Sequence, residues 1–220
     1  LILNPDRTKM SKRKSQTAVA AYRAEGFIPE GFLNYLGLLG WSPGTEQDLF
    51  AKALALQDGQ GHRLVIITTD LIGIIDRLRE DVARRVEEQY KLSPSALLMN
   101  ASHTHCGPAY GRDDAKDYFD RLADTLVALV GQALDRLAPA SLSYSYARCG
   151  FAMNRRTPTD SGYQNHPNPA GPVDHTVPVL RVGGADGQLR AVVFGYACHN
   201  TTMGFRKWLG DYAGYAQEYF

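Results

Sequence analysis

From residue 50 onward the chain alternates short apolar runs with longer stretches whose apolar residues recur every three or four positions. Such alternation restricts the fold to sheets covered by helices, because each element must bury its apolar face against the other kind. Phe50–Leu56 and Leu64–Thr69 read as strands joined by a turn at Asp58-Gly59. Asp76–Tyr90 places Leu78, Val82, Val86 and Tyr90 at helical spacing. Ala115–Leu137 does the same with Leu122, Leu126, Leu129, Val130 and Leu134. Ala96–Ala101, Ser141–Ala147, Val177–Val182 and Leu189–Ala197 complete the strands, the last two around a Gly/Asp turn. The expected class is α/β, a mixed sheet flanked by helices.

Residues before 50 have a different character. Residues 1–24 hold six Lys/Arg and one acid, and residues 25–50 hold four acids and no Lys or Arg. The helices expected there are Thr17–Glu25, stopped by Gly26, and Glu30–Leu39, opened by Pro29 and closed by Gly40. The whole chain carries a net charge of only +1, so no global charge drives it toward nucleic acid or membrane. Its apolar runs fall short of the ~18 residues of a membrane span. Three cysteines without paired spacing exclude a disulfide scaffold and a CxxC zinc site.

Two regions carry candidate chemistry. Lys9-Met10-Ser11-Lys12-Arg13 packs three cations and a hydroxyl into five residues, a loop able to neutralise a polyphosphate or simply to face solvent. The second region begins at Ser102-His103-Thr104-His105-Cys106-Gly107-Pro108, just after an apolar strand. A bent strand end lets one histidine bind metal while the other faces substrate, and Gly107-Pro108 imposes a turn. Taken alone, His-x-His is also a common structural pair. Cys198-His199-Asn200-Thr201-Thr202 repeats the arrangement of apolar strand, histidine and small polar residues. Two such strands in one sheet can bring their histidines to a common edge, where sites in α/β folds form. Imidazole suits Zn²⁺, and catalytic zinc takes about three protein ligands. Arg155, in Asn154-Arg155-Arg156, is either a surface cation or a charge aimed at an oxyanion.

These motifs carry two resemblances. DRTKMSKRK with the following TAVAAYRAEGFIPEGFLNYLGLLGWSPGTEQ resembles glutamyl-tRNA synthetase over residues 1–48. That resemblance implies ATP phosphates at Lys9, Lys12 and Arg13, and tRNA as partner, in an intact synthetase. ASHTHCGP, NRR, VDHTVPVLRV, VVFGYACHNTT and GDYAGYAQ resemble the neutral/alkaline ceramidase family over residues 49–220. The second resemblance implies an incomplete α/β catalytic domain of a zinc amidase acting on a lipid or other N-acyl amide. His103 and His199 would be its zinc ligands, His105 its acid/base and Arg155 its oxyanion donor. A Glu and a Tyr ligand, with another catalytic Tyr, would come from family sequence beyond the last matched motif. Asp70, Asp174, His175 and Asp211 are expected to support the site or the fold. The ceramidase-like part resembles secreted or periplasmic proteins and the synthetase-like part cytoplasmic ones.

The expected organisation is therefore a short helical synthetase-like segment, 1–48, ahead of a ceramidase-like domain, 49–220. A class I synthetase needs a nucleotide-binding fold with an HIGH-type sequence, and these 220 residues contain none. The chain is therefore expected to leave tRNA uncharged in an aminoacylation assay with ATP and glutamate. Measurable glutamylation would contradict this partition.

Overall fold

The structure is a computed structural model that describes residues 47–203 and 207–218. The helices expected at Thr17–Glu25 and Glu30–Leu39, and the loop with Lys9, Lys12 and Arg13, lie outside the described residues. No helix among the described residues is long and apolar enough to cross a membrane.

Strands β1 (Ala51–Gln57) and β2 (Arg63–Thr69) form an antiparallel hairpin. Asp58 shapes its turn by accepting bonds from the backbone N–H groups of Gln60 and His62. Helix α1 (Asp76–Tyr90) then returns the chain to β3 (Leu97–Ala101), which pairs parallel with β2. The resulting β1–β2–β3 sheet is mixed, as expected. Helix α2 (Lys116–Asp135) follows.

Sheet and helices share one core. Val65 and Ile67 of β2 meet Leu78, Val82 and Val86 of α1 and Phe119, Ala123, Leu126 and Val130 of α2. The α1 spacing is the one read from the sequence. On α2 the buried stripe is rotated toward Phe119, Ala123 and Val127, and Leu122 and Leu134 sit at its margin. The α1 C-terminus is closed by Lys91 in the left-handed region, φ 55°, whose N–H donates to the Glu87 carbonyl.

The second half of the chain builds a separate antiparallel sheet, β4 (Ala140–Arg148), β7 (Thr176–Gly184) and β8 (Leu189–Phe194), in the order β4–β7–β8. Strands β5 (Arg156–Thr159) and β6 (Gly162–Asn165) form a small hairpin, and α3 (Asp211–Glu218) is a short helix. Neither the hairpin nor α3 is among the elements read from the sequence. The strands leading to His103 and His199, expected in one sheet, thus lie in two. β8 pairs with β7 across a short turn, a closure of low loop-entropy cost, and β3 and β8 are each the edge strand of their own sheet.

The α1–α2 contact is close enough to test. A Cβ at Gly131 of α2 would lie 2.4 Å from the Tyr90 hydroxyl and 2.6 Å from its Cζ. Alanine normally gains about 1 kcal/mol over glycine inside a helix. Here Gly131→Ala is expected to lower the melting temperature, by a net destabilisation of about 1–2 kcal/mol, because overpacking outweighs propensity. In a Tyr90→Ala background the same substitution should become neutral or stabilising. Thermal melts of the four proteins check this.

Candidate metal centre

The chain leaves β3 at Ala101 and bends at once. Ser102 N–H donates to the Thr69 carbonyl and His103 N–H to the Leu71 carbonyl, so the turn is pinned against the end of β2. His103 takes φ 65°, in the left-handed region, which a non-glycine residue occupies at a cost of about 1–3 kcal/mol. Its ring is held from behind, where Nδ1 bonds the Ile72 carbonyl. A carbonyl only accepts, so Nδ1 carries the proton and Nε2 keeps its lone pair. This is the orientation expected of a metal-ligating histidine. Two residues on, the His105 Nε2 lies 3.4 Å from the His103 Nε2.

The third ring arrives from the other sheet. His199 follows β8, and the three ring centroids form a near-equilateral triangle with sides of 4.7, 4.9 and 5.0 Å. One nitrogen from each of His103, His105 and His199 falls within a 4.8 Å span. The donor set suits a borderline cation such as Zn²⁺. Burial, then the nearby Arg155 charge, holds His199 below the ordinary imidazole value. A neutral ring at pH 7 is the form that can ligate.

Arg155 stands beside this cluster, with Nη1 2.9 Å from His199 Nδ1. It is aimed by Asn154, whose Oδ1 accepts from Arg156 N–H and whose Nδ2 donates to the Pro172 carbonyl. Tyr196, three residues before His199, ties the same arm to the end of β8. Its hydroxyl donates to the Cys149 carbonyl at 2.6 Å and accepts from Ala152 N–H at 2.9 Å. Burial pushes this phenol up to about 12, so it stays a donor at neutral pH.

What joins the two histidine loops is the segment Leu209-Gly210-Asp211. Leu209 N–H donates to the Cys106 carbonyl at 3.1 Å, and the buried Thr104 hydroxyl donates to the Leu209 carbonyl at 2.6 Å. On the other side, Asn200 Nδ2 donates to the Gly210 carbonyl at 3.0 Å. The Asp211 carboxylate, 1% exposed, accepts from the N–H groups of Thr202, Met203 and Tyr212 and from the Thr202 hydroxyl. Tyr212 donates to the Cys198 carbonyl, next to His199.

The structure therefore brings together His103, His105, His199 and Arg155. Asp211 supports the His199 loop. Asp70 holds the start of β1, accepting from Phe50 N–H, and Asp174 receives the Thr176 N–H at the start of β7. His175 accepts the Cys149 N–H on its carbonyl. Cys106 is buried, and burial raises the Cys198 thiol, which keeps it protonated and poorly nucleophilic. Sequence reasoning assigned no role to Thr104, Asn200, Thr201 or Tyr196. All four sit inside the quoted motifs, and for the first three the repeated small polar residues beside each histidine were the available signal.

Two family models match the chain, and they overlap over residues 37–61. A family model described as neutral/alkaline non-lysosomal ceramidase, N-terminal, covers residues 37–220. One described as tRNA synthetases class I (E and Q), catalytic domain, covers residues 1–61. Among curated proteins, the glutamate–tRNA ligase of Desulforudis audaxviator is 62% identical over 50 residues, 23% of this chain and 10% of that protein. The ligase of Carboxydothermus hydrogenoformans is 60% identical over 50 residues, with the same shares. Among solved structures, the neutral ceramidase of Pseudomonas aeruginosa superimposes with a TM-score of 0.66 at 24% identity, over 79% of this chain and 30% of that one. A structure described as ceramidase complexed with C2 gives 0.62 at 24% identity, over 76% of this chain and 28% of that one. The chain thus spans a tenth of the ligases' length and under a third of the solved ceramidases'.

Metal content separates the roles within the cluster. His103→Ala is expected to remove most bound zinc, because it deletes the ring whose tautomer is fixed for ligation. His105→Ala is expected to keep most of it, as an acid/base would. Elemental analysis after dialysis reads both, and equal loss in the two variants would make His105 a ligand.

Proposed function

The chain belongs to the neutral/alkaline non-lysosomal ceramidase family over residues 37–220, and from that premise we propose that its histidine cluster holds zinc for the hydrolysis of an N-acyl amide. The observation that carries this reading is the convergence of three imidazole nitrogens within 4.8 Å, with a guanidinium alongside. What zinc supplies in such a site is Lewis acidity and a water whose pKa falls toward ~7.

The protein's own groups divide the remaining work. His103 and His199 hold the metal, the first with its tautomer set by the Ile72 carbonyl. His105 takes a proton from the attacking water and returns it to the leaving amine. Arg155 donates to the carbonyl oxygen as negative charge develops there. The buckle at Leu209–Asp211 keeps the two loops in register, so these groups need little reorganisation during reaction.

Exposed apolar side chains on the segments that carry the site support an acylated substrate. Ile72 is 46% exposed, Phe151 37% and Met153 54%. Phe151 is itself braced edge-on by Tyr196 and Tyr212, and Met153 stands two residues before Arg155. An alkyl chain that covered such side chains would gain about 25 cal/mol per Å² of apolar surface removed from water. An ATP-facing role for Lys9, Lys12 and Arg13 belongs to an intact synthetase.

The test is zinc-dependent amine release from short-chain N-acyl amines by the chain joined to the family sequence that follows the last matched motif. Release that requires zinc and stops with a chelator is expected. Arg155→Ala should lower that rate roughly a hundredfold or more, the cost of one oxyanion donor, without loss of zinc. Arg155→Lys should recover part of it, since an ammonium lacks the planar fork. Release indifferent to zinc, or full activity in Arg155→Ala, would overturn the reading.

A further inference from the structure

The Arg155–His199 contact sets two demands on one ring that cannot both be met. A guanidinium has only donors, so at 2.9 Å from Nη1 the His199 Nδ1 must accept, and its lone pair is taken. A neutral imidazole has one lone-pair nitrogen, so the proton is then on Nε2. Ligation through Nδ1 needs the lone pair that Arg155 uses. Ligation through Nε2 moves the proton to Nδ1, where it would face a guanidinium N–H, donor against donor. Either way the arginine contact and metal ligation by His199 exclude each other.

Thr201 is under no such restriction. Its Oγ1 also contacts His199 Nδ1, and a hydroxyl can share the bare nitrogen's lone pair with the guanidinium as a second donor, or accept from a protonated nitrogen. It can stay with the ring in both arrangements.

We propose that Arg155 and the metal ion compete for His199, so that metal loading displaces the guanidinium from the ring and delivers it to the substrate carbonyl. Arg155 thereby becomes a device that orders events, with its oxyanion-stabilising position open only once the metal is seated. Electrostatics acts in the same direction, because a fixed cation against a ligand ring disfavours a second cation on it. The inference rests on the reading of the cluster as a metal site.

The experiment is a zinc titration of the chain in competition with a chromophoric chelator, for wild type, Arg155→Ala and Arg155→Gln. Losing a charge-assisted hydrogen bond that competes with the metal should tighten zinc binding roughly tenfold or more in both variants. Unchanged affinity, or the weakened affinity expected of a purely structural Arg155, overturns the proposal. If Arg155→Ala loses its cooperative melt, Arg155→Gln decides alone. Ring ¹⁵N shifts give an independent readout. With chelator present, His199 of the wild type should be the Nε2–H tautomer, and its Nδ1 resonance should move when zinc is added. An Nδ1–H ring under chelator would contradict the competition. Absence of zinc binding in all three proteins would instead defeat the metal reading itself, and the competition with it.

Discussion

Everything at the candidate site depends on a three-residue buckle, Leu209-Gly210-Asp211. The histidines stand on loops from two different sheets, and strand pairing alone does not hold those loops together. The buckle does so with backbone and buried polar groups. Leu209 pairs with Cys106 and receives the Thr104 hydroxyl, Gly210 receives Asn200, and Asp211 gathers the turn after His199. Hydrogen bonds to a buried carboxylate contribute about 1.5–3 kcal/mol each, and an unpaired carboxylate there would be costly. The arrangement is therefore all or nothing, as a site that must hold rings within a few tenths of an ångström requires. Asp211 itself sits at φ 58°, a strained conformation at the residue that does the gathering.

Around that buckle the two halves of the domain supply different things. The mixed sheet with α1 and α2 supplies a rigid, fully packed edge, and His103 is bent off it by hydrogen bonds to the Thr69–Ile72 turn. The antiparallel sheet supplies reach, placing His199 at the end of β8 and Arg155 on the arm before β5. Tyr196 and Tyr212 anchor that arm and that strand end, each donating its hydroxyl to the backbone carbonyl of a cysteine, Cys149 and Cys198 respectively. Hydrogen bonds on the two sides thus hold the rings and the Arg155 guanidinium close together.

The elements that carry the core were legible because their apolar period is set by burial on one face. Helix α1 starts and stops where its spacing said, since Leu78, Val82 and Val86 all point into the core and Lys91 ends it. The three histidines and Arg155 were legible as motifs. The two-sheet arrangement was not, because strand pairing is a long-range choice that period-2 alternation does not encode. The buckle was hidden for a related reason. Its donors and acceptors are largely backbone groups, along with Thr104 and Asn200, whose side chains are as common in turns as in sites. The Ile72 carbonyl that sets the His103 tautomer has no side-chain signature at all. The β5–β6 hairpin escaped because its strands are four residues each and almost wholly exposed, leaving no burial pattern to read.

The central claim, that loops from two sheets are clasped so that their histidines share one metal ion, is tested most directly by X-ray absorption at the zinc edge of the zinc-loaded chain. The account predicts imidazole nitrogens at about 2.0–2.1 Å, with outer-shell scattering from at least two rings. A first shell containing sulfur at about 2.3 Å, or one of oxygen alone without imidazole scattering, would contradict it.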